Sequence, residues 1–504
     1  VILALALLAE IAGWWGGASN HTETYAWSHI QAHLGPGGFA LAFASGLAFV
    51  AWRGHRIPPA WLGALLVHAV FWDVAQAQPD AATWFTNAQR VARAPIEVLT
   101  AWPSHAWVGE EARFHKPFPL VPAVYGIAFR LFGESNRVVS IVLAGWAVAL
   151  SIVVTWAARA AGTPGRDNDR AAQLSGWLVV AFPLLQAQSG WLLADIPLCV
   201  TLALAWGALL RVRHARDLVW AVPATLPAVA MKVTGIGFVA LPALALALPL
   251  KALLCAVLLG GLVLFGVTPP RLRPLGDYGA AVFALALHLR SAAWLGALPA
   301  LRSGDRVGKL LIGALLAVPP IIAYSPVEHV PRYTLPVGLA LALALPRAAP
   351  AVSRFLVGSG LVLVVGGYAP VARVNQAVNL QEATRALVAR GVTAIEVTAD
   401  APGNTVPPAA LAAIVDLYAP IPVRTGRALR EGAPEGKGRW WRYVEPPPWR
   451  EAGEADGLLL CLYGSKSTVF EQDNVLWRRV GSVSRLRTLS LTSPREVVLY
   501  ERVK

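Results

Sequence analysis

Two aspartates, Asp73 and Asp80, stand seven residues apart in the stretch FWDVAQAQPDAATWFTNAQRVARAP, where an apolar run gives way to a polar segment. Seven residues are about two helical turns, so in one continuous helix both would lie near the same face. The proline-punctuated HKPFPLVP adds His115 and Lys116. Further on come Asp195 in SGWLLAD, Lys232 inside an apolar run, and Glu328, His329, Arg332 and Tyr333 in SPVEHVPRYTLP. Carboxylates can exchange protons, and cations can hold an anionic substrate and neutralise charge that develops on it. A guanidinium such as Arg332 can grip phosphate with a two-pronged fork. Each residue also has a plainer reading. Asp80 is then a helix-end charge, Lys232 a side chain snorkelling from a helix break, and the 328–333 cluster an ordinary exit loop.

The elements that must position these residues are apolar. The chain has 504 residues, of which 56% are hydrophobic and 14% charged, and its mean hydropathy is +0.53. Soluble proteins carry about a quarter charged residues, so the composition points to an integral membrane protein. Residues 1–371 hold 25 Lys/Arg and 15 Asp/Glu, and residues 372–504 hold 18 and 14. The first part therefore reads as membrane and the last as soluble. The net charge of +14 comes largely from short basic loops between apolar runs, the pattern that orients helices, so no nucleic-acid partner is expected. Cys199, Cys255 and Cys461 form no metal-spaced pair, and no disulfide framework is expected. The start VILALALLAEIAGWW lacks a basic lead and a clean cleavage site and reads as a membrane helix. With no Met at position 1, a few residues are expected to precede it. Asn20-His21-Thr22 matches a glycosylation acceptor, a short and common pattern. The Ala/Arg/Leu-rich style with one Met suggests a prokaryote.

A span needs about 20 apolar residues. Runs at about 1–17, 36–52, 59–76, 138–158, 172–189 and 194–210 are followed by two or three interrupted helices in 217–268. Further runs fall at about 278–298, 308–323, one before PRAAPAVSR, and 355–371. About 13 spans are expected. RGHR, ARAAGTPGRDNDR, RVRHAR, RSGDRVGK and PRAAPAVSR would lie inside, with the N-terminus inside and the C-terminus outside. TWFTNAQRVARA has helical spacing, with Trp84, Ala88 and Val91 on one face. HKPFPLVPAVYGIAFRLFG fits a short interfacial or re-entrant helix. Residues 375–504 read as a small extracytoplasmic α/β domain, with helices at TRALVARG and PPAALAAIVDLYA and strands at TAIEVTAD, IPVRT, GLLLCLYG and REVVLYERV. The loop GKGRWWRYVEPPPWR mixes Arg with Trp and could rest on membrane lipids. No P-loop, GxSxG, HExxH or CxxC motif is present.

Four segments in order resemble the GT-C glycosyltransferases that use polyprenyl-phosphate sugars, the group of the aminoarabinose and protein O-mannosyltransferases. They are Asp80 in QPDAATWFTNAQRVA, the HKPFPLVP segment running to Phe132-Gly133-Glu134-Ser135, Asp195-Ile196-Pro197, and Arg332-Tyr333 with Pro336. The resemblance covers about residues 59–371, leaves 1–58 as two additional helices, and includes an outer loop at 77–137. It implies a GT-C fold and an enzyme of the plasma membrane, a hexosyl- or pentosyltransferase. The donor would be a polyprenyl-phosphate-linked sugar and the acceptor a lipid, glycan or protein. Asp80 would be the general base or a ligand of a divalent cation, and Asp195 the second acidic residue. Lys116, Arg332 and Lys232 would hold the donor phosphate, with Asp73, His115, Glu328, His329 and Tyr333 around the substrate. The chain departs from the family in three places. Asp80 lacks an acidic neighbour, Phe118 replaces the second proline of the Lys-Pro-Pro motif, and His329 stands where Lys is usual. A lipid-linked-sugar transporter or flippase would call for inverted repeats, and none is seen. A silent envelope scaffold would not need Asp80.

Overall fold

In a computed structural model, the described residues are 1–17, 27–52, 57–74, 79–96, 120–188, 191–232, 234–246, 275–324, 330–373, 377–399, 411, 415, 419, 421, 423–425, 455–462, 477–484 and 496–502. The helices in chain order are α1 (Ile2–Gly16), α2 (Trp27–Ala51), α3 (Ala60–His68), α4 (Pro79–Arg93), α5 (Leu120–Phe132), α6 (Asn136–Ala160) and α7 (Arg166–Ala181). There follow α8 (Pro183–Gln188), α9 (Asp195–Arg211), α10 (Leu218–Met231), α11 (Thr234–Ala245), α12 (Leu275–His288), α13 (Ser291–Ser303) and α14 (Arg306–Leu316). The last are α15 (Val318–Tyr324), α16 (Val330–Tyr333), α17 (Leu335–Ala348), α18 (Pro350–Leu363), α19 (Ala369–Arg373) and α20 (Ala377–Ala389). The strands are β1 (Ile395–Ala399), β2 (Val423–Thr425), β3 (Gly457–Leu462), β4 (Trp477–Ser484) and β5 (Glu496–Arg502). The chain divides into two units. One comprises Val1–Val74, Phe114–Val121 and Arg137–Ala372; the other comprises Ala75–Arg113, Pro122–Asn136 and Arg373–Lys504.

The first unit is a helix bundle. Among the described residues three helices are long and apolar enough to cross a membrane, Ile30–Ala51, Asn136–Ala160 and Pro350–Ala372, or four if one bent pair counts as a span. Helices occupy the runs expected at 1–17, 138–158, 194–210 and 355–371, whereas others are interrupted by breaks or carry prolines within a helix. Pro223 and Pro227 lie inside α10, Pro242 inside α11 and Pro299 inside α13. The run expected at 308–323 is two helices, α14 and α15. At the centre, α17 buries every residue from 335 to 346 and packs against α7, α13 and α14. α2 lies along α18, where a Cβ at Gly358 would come within 2.6 Å of the Ser45 carbonyl oxygen, so the small residue permits the close approach.

The single span expected at 278–298 is instead α12 and α13, which meet at a 100° bend. The break falls at Arg290, whose φ of 70° is costly for a residue with a Cβ. Polar contacts hold it there. Glu10 of α1 accepts from Arg290 Nε at 2.9 Å and from the Ala292 backbone N–H at 2.8 Å. Arg290 Nη2 donates to Ser359 Oγ at 3.1 Å. The Glu10 carboxylate thus caps the start of α13 and neutralises Arg290, and both side chains are buried.

Four of the basic loops expected on one side of the membrane do come together. Arg211 lies 3.7 Å from the centre of the Trp156 ring and donates to its carbonyl. Arg306 donates to the Leu209 carbonyl, and Arg347 to Ala158 and Asn168. These arginines satisfy helix C-terminal carbonyls, where a cation is favoured.

In the second unit, α4 has the predicted apolar face, with Trp84, Ala88 and Val91 all buried. Phe85 of α4 meets Phe129 of α5 with ring centres 4.7 Å apart. The same unit carries a five-stranded sheet in the order β2-β1-β3-β5-β4. β2, β1 and β3 run parallel, and β5 is antiparallel to both β3 and β4. α20 packs on it, and Leu458, Leu460, Val498 and Tyr500 form a core cluster. The helix at TRALVARG and the strands at TAIEVTAD, IPVRT, GLLLCLYG and REVVLYERV are present. Most of PPAALAAIVDLYA and all of GKGRWWRYVEPPPWR lie outside the described residues.

Candidate functional site

Asp195 is the first residue of α9, where the partial positive charge of a helix N-terminus favours a carboxylate. Pro197 is tolerated there because a first-turn residue needs no N–H donor. The helix begins cleanly, with Leu198 N–H donating to the Ala194 carbonyl at 2.8 Å. Lys232 follows the last residue of α10 and is extended, at φ −161° and ψ 144°. α11 then restarts, with Gly235 N–H bonded to the Lys232 carbonyl at 2.8 Å. A Cβ at Gly235 would run into the Ala228 carbonyl, so glycine allows the chain to turn back on α10. Arg332 and Tyr333 belong to α16 and lead straight into the buried α17.

These breaks bring together residues that are 37 and 100 positions apart. Lys232 Nζ lies 2.6 Å from Asp195 Oδ1, and Arg332 Nε lies 3.8 Å from Asp195 Oδ2. Arg332 Nη2 donates to the Tyr333 hydroxyl at 3.0 Å. The Tyr333 ring has Lys232 Nζ 4.0 Å and Arg332 Cζ 4.9 Å from its centre, both within range of a cation–π attraction. Asp195 and Arg332 side chains are each only 4% exposed, and Lys232 is 14% exposed. Among the described residues one carboxylate faces these two cations. A buried ammonium and a buried guanidinium side by side are groups that can hold an anionic oxygen.

Four of the ten expected site residues thus meet: Asp195, Lys232, Arg332 and Tyr333. Asp73 does not share a helix face with Asp80. It sits in the left-handed region at φ 57°, after a tight turn at Ala69–Phe71, and α4 begins only at Pro79. Its backbone N–H donates to Ser140 Oγ at 3.0 Å, and its half-exposed carboxylate pairs with Arg137 at 3.4 Å. Asp80 is the second residue of α4, in a first turn opened by Pro79; its side chain lies outside what is described. His115, Lys116, Glu328 and His329 also lie outside the described residues. The structure does join the first two motif segments. Glu134, from the Phe-Gly-x-Ser turn, accepts from Gln89 of α4 at 2.8 Å and pairs with Arg93 at 3.1 Å.

Two buried groups that lie close along the chain to Asp195 and Lys232 went unmarked in the sequence. Gln188, 1% exposed, ends α8 seven residues before Asp195, and neither its Oε1 nor its Nε2 has a partner. Thr234, two residues after Lys232, has a buried Oγ1 without a partner. Each such group costs about 1–3 kcal/mol. Neither carries a charge that would mark it within an apolar stretch. Among the described residues no three His, Cys, Asp or Glu side chains gather as a metal set.

A bundle of broken apolar helices that buries an acid–cation cluster, together with a small sheet, has the GT-C fold. Among solved structures the chain resembles ArnT from Cupriavidus metallidurans. With ArnT bound to undecaprenyl phosphate the TM-score is 0.51 at 15% identity, and with the apo state it is 0.52 at 13%. In both cases the match covers 87% of this chain and 96% of ArnT. At such identity the likeness is one of fold. No protein-family model matches the sequence, and neither does any curated protein.

Proposed function

We propose that the chain is an integral membrane glycosyltransferase. It moves a sugar from a polyprenyl-phosphate donor to an acceptor on the outer face of a bacterial plasma membrane. The observation that carries this reading is the buried Asp195–Lys232–Arg332–Tyr333 cluster, which gathers an ammonium and a guanidinium on one carboxylate. The fold shared with ArnT, solved with undecaprenyl phosphate, supports it.

The chemistry explains why two cations are useful. A polyprenyl-phosphate sugar is a phosphodiester with one negative charge. As the bond from the anomeric carbon to the phosphate oxygen breaks, the leaving group becomes a monoester and gains a second charge. Lys232 and Arg332 stabilise that charge more as it grows, which lowers the barrier. Asp195 holds both cations in place. The acceptor oxygen or nitrogen bonds to the anomeric carbon from the opposite face and gives its proton to a base, assigned by the resemblance to Asp80. Lys116 and His329 join the phosphate and substrate contacts on the same grounds. The divalent cation allowed near Asp80 has no donor set among the described residues, and no step is routed through it. About 13 spans, a cytoplasmic N-terminus and an extracytoplasmic 375–504 domain complete the reading.

The test is sugar transfer or hydrolysis with purified protein and a panel of polyprenyl-phosphate sugars. Turnover with one donor, abolished in Asp80→Asn while the thermal midpoint is unchanged, is the expected result. Turnover that survives in Asp80→Asn reassigns the base. No turnover with any donor, and no binding of undecaprenyl phosphate, overturns the enzyme reading.

A further inference from the structure

Gln188 and Gln186 are two residues apart on α8 and equally buried, yet they are treated differently. Gln186 donates its amide to the Val179 carbonyl at 2.8 Å, inside the protein. The Gln188 amide has neither its donor nor its acceptor engaged. The turn that Gln188 opens is ordered by Trp191 N–H on its own carbonyl at 3.3 Å and Leu193 N–H on the Trp191 carbonyl at 2.8 Å, and it delivers Asp195. α8 packs against both α9, which starts with Asp195, and α17, which starts just after Arg332 and Tyr333. On the other arm, Thr234 begins α11 two residues beyond Lys232, with its hydroxyl likewise buried and unpartnered. Unpartnered polar atoms therefore stand on the chain segments that lead to Asp195 and away from Lys232.

The chemistry of these atoms narrows what they would meet. An amide offers N–H donors and a carbonyl acceptor together, and a threonine hydroxyl also does both. A phosphate only accepts, so it would leave Gln188 Oε1 unmet. Sugar hydroxyls donate and accept. We infer that Gln188, supported by Thr234, reads the hydroxyls of the sugar carried by the lipid phosphate that Lys232 and Arg332 hold. This rests on the glycosyltransferase reading above. A site built to hydrogen-bond a hydroxyl rejects a ligand without one strongly, because its own buried groups are then left unpaired. The pair would thus set which sugar is accepted, separately from the grip on the phosphate.

The experiment is equilibrium binding, in nanodiscs, of undecaprenyl phosphate alone and of undecaprenyl-phosphate-linked hexoses and pentoses, to wild type, Gln188→Leu and Thr234→Val. Gln188→Leu should bind undecaprenyl phosphate within about two-fold of wild type and the best glycosylated lipid about ten-fold more weakly. Thr234→Val should show the same preference more mildly. Ligand-free Gln188→Leu should melt at or above the wild-type temperature, because an apolar side chain removes an unmet amide. Equal losses for both lipids would overturn the inference and make Gln188 a support of the charged cluster. No loss for either would also overturn it and leave a buried water as its partner. Gln188→Met repeats the test with an unbranched side chain should the leucine variant not accumulate. If wild type binds neither lipid, the glycosyltransferase reading itself falls, an outcome separate from both.

Discussion

Among the described residues the helix bundle buries two acid–cation clusters, and they are built to different rules. Glu10 and Arg290 balance. The carboxylate is taken up by one guanidinium and one backbone N–H, the guanidinium also reaches Ser359, and a single nitrogen, Arg290 Nη1, is left over. Asp195 is shared by two cations, Lys232 and Arg332, which both also lie near the Tyr333 ring. The balanced pair fastens a 100° helix break and has little left to offer a ligand. The Asp195 cluster gathers two cations on one carboxylate, the arrangement that the proposed phosphate grip uses. Burial alone does not separate the two, since both clusters are buried, whereas the number of cations drawn to the carboxylate does.

That contrast can be broken most forcefully at the balanced pair. Glu10→Ala leaves Arg290 buried beside Ser359 and should cost about 3–5 kcal/mol, read as a large fall in thermal midpoint. The double variant Glu10→Leu/Arg290→Met should recover most of it, because a well-packed apolar replacement of a buried pair is often neutral. A single variant that melts like wild type would show that the bend stands without the pair. Next come Lys232→Met and Arg332→Met. Each leaves Asp195 paired with one cation among the described residues, so stability should move by less than about 1 kcal/mol. Affinity for undecaprenyl phosphate should fall by about ten- to a hundred-fold, the worth of a charge-assisted bond of about 1.5–3 kcal/mol. A loss of stability without a loss of affinity would reverse the two roles. Tyr333→Phe sharpens the picture by keeping the ring under both cations and removing the acceptor for Arg332 Nη2. A few-fold weaker lipid binding, about 0.5–1.5 kcal/mol, should appear in titrations.

The smallest effect belongs to a carboxylate balanced by backbone rather than by a cation. Asp456, ahead of β3, accepts from Thr393 N–H at 2.9 Å, Thr393 Oγ1 at 2.9 Å and Ala394 N–H at 2.9 Å, tying the start of β1 to β3. Partial burial pushes its carboxyl up, but these donors prevail and hold it below the ordinary carboxylate range. A depressed carboxyl lends stability that is complete above the ordinary value of about 4 and is lost as pH falls through the lower folded value. Protection of the β1 and β3 amides in the full chain should therefore weaken on acidification. Asp456→Asn should remove about 1 kcal/mol at neutral pH and flatten that dependence. Equal pH dependence in both proteins would exclude Asp456 as its source.

Some of this was legible beforehand and some was not, for physical reasons. Asp195 and Lys232 stand out because an ionisable residue at the edge of or inside an apolar run is costly, and the break at Lys232 is where the helix was expected to be interrupted. The face of α4 follows from the spacing of Trp84, Ala88 and Val91. Glu10 carries the same mark as Lys232, yet its partner is 280 residues away and no local pattern joins them. The bend at Arg290 interrupts a stretch with no proline or glycine at the break, so hydropathy runs straight through it. Gln188 is neutral and hides among apolar neighbours. β4 is an edge strand in which Trp477, Val480 and Val483 fall three residues apart among Arg, Gly and Ser, with an irregularity between Arg479 and Gly481, so it shows no alternation. The number of spans was read from apolar length, and breaks such as the one at Arg290 interrupt that length without a signal in hydropathy.

The tie between Glu10 and Arg290 also sets a clock. A ribosome adding about 5–20 residues per second needs roughly a quarter of a minute to a minute to make the 280 residues between them. Throughout that interval α1 holds an acid whose guanidinium does not yet exist, and a lone charge is poorly tolerated in lipid. The helix that bears Glu10 thus settles long after it has been made. Its final seat is fixed only when the chain has been read more than halfway, which makes the insertion machinery, and not the finished bundle, the first host of Glu10.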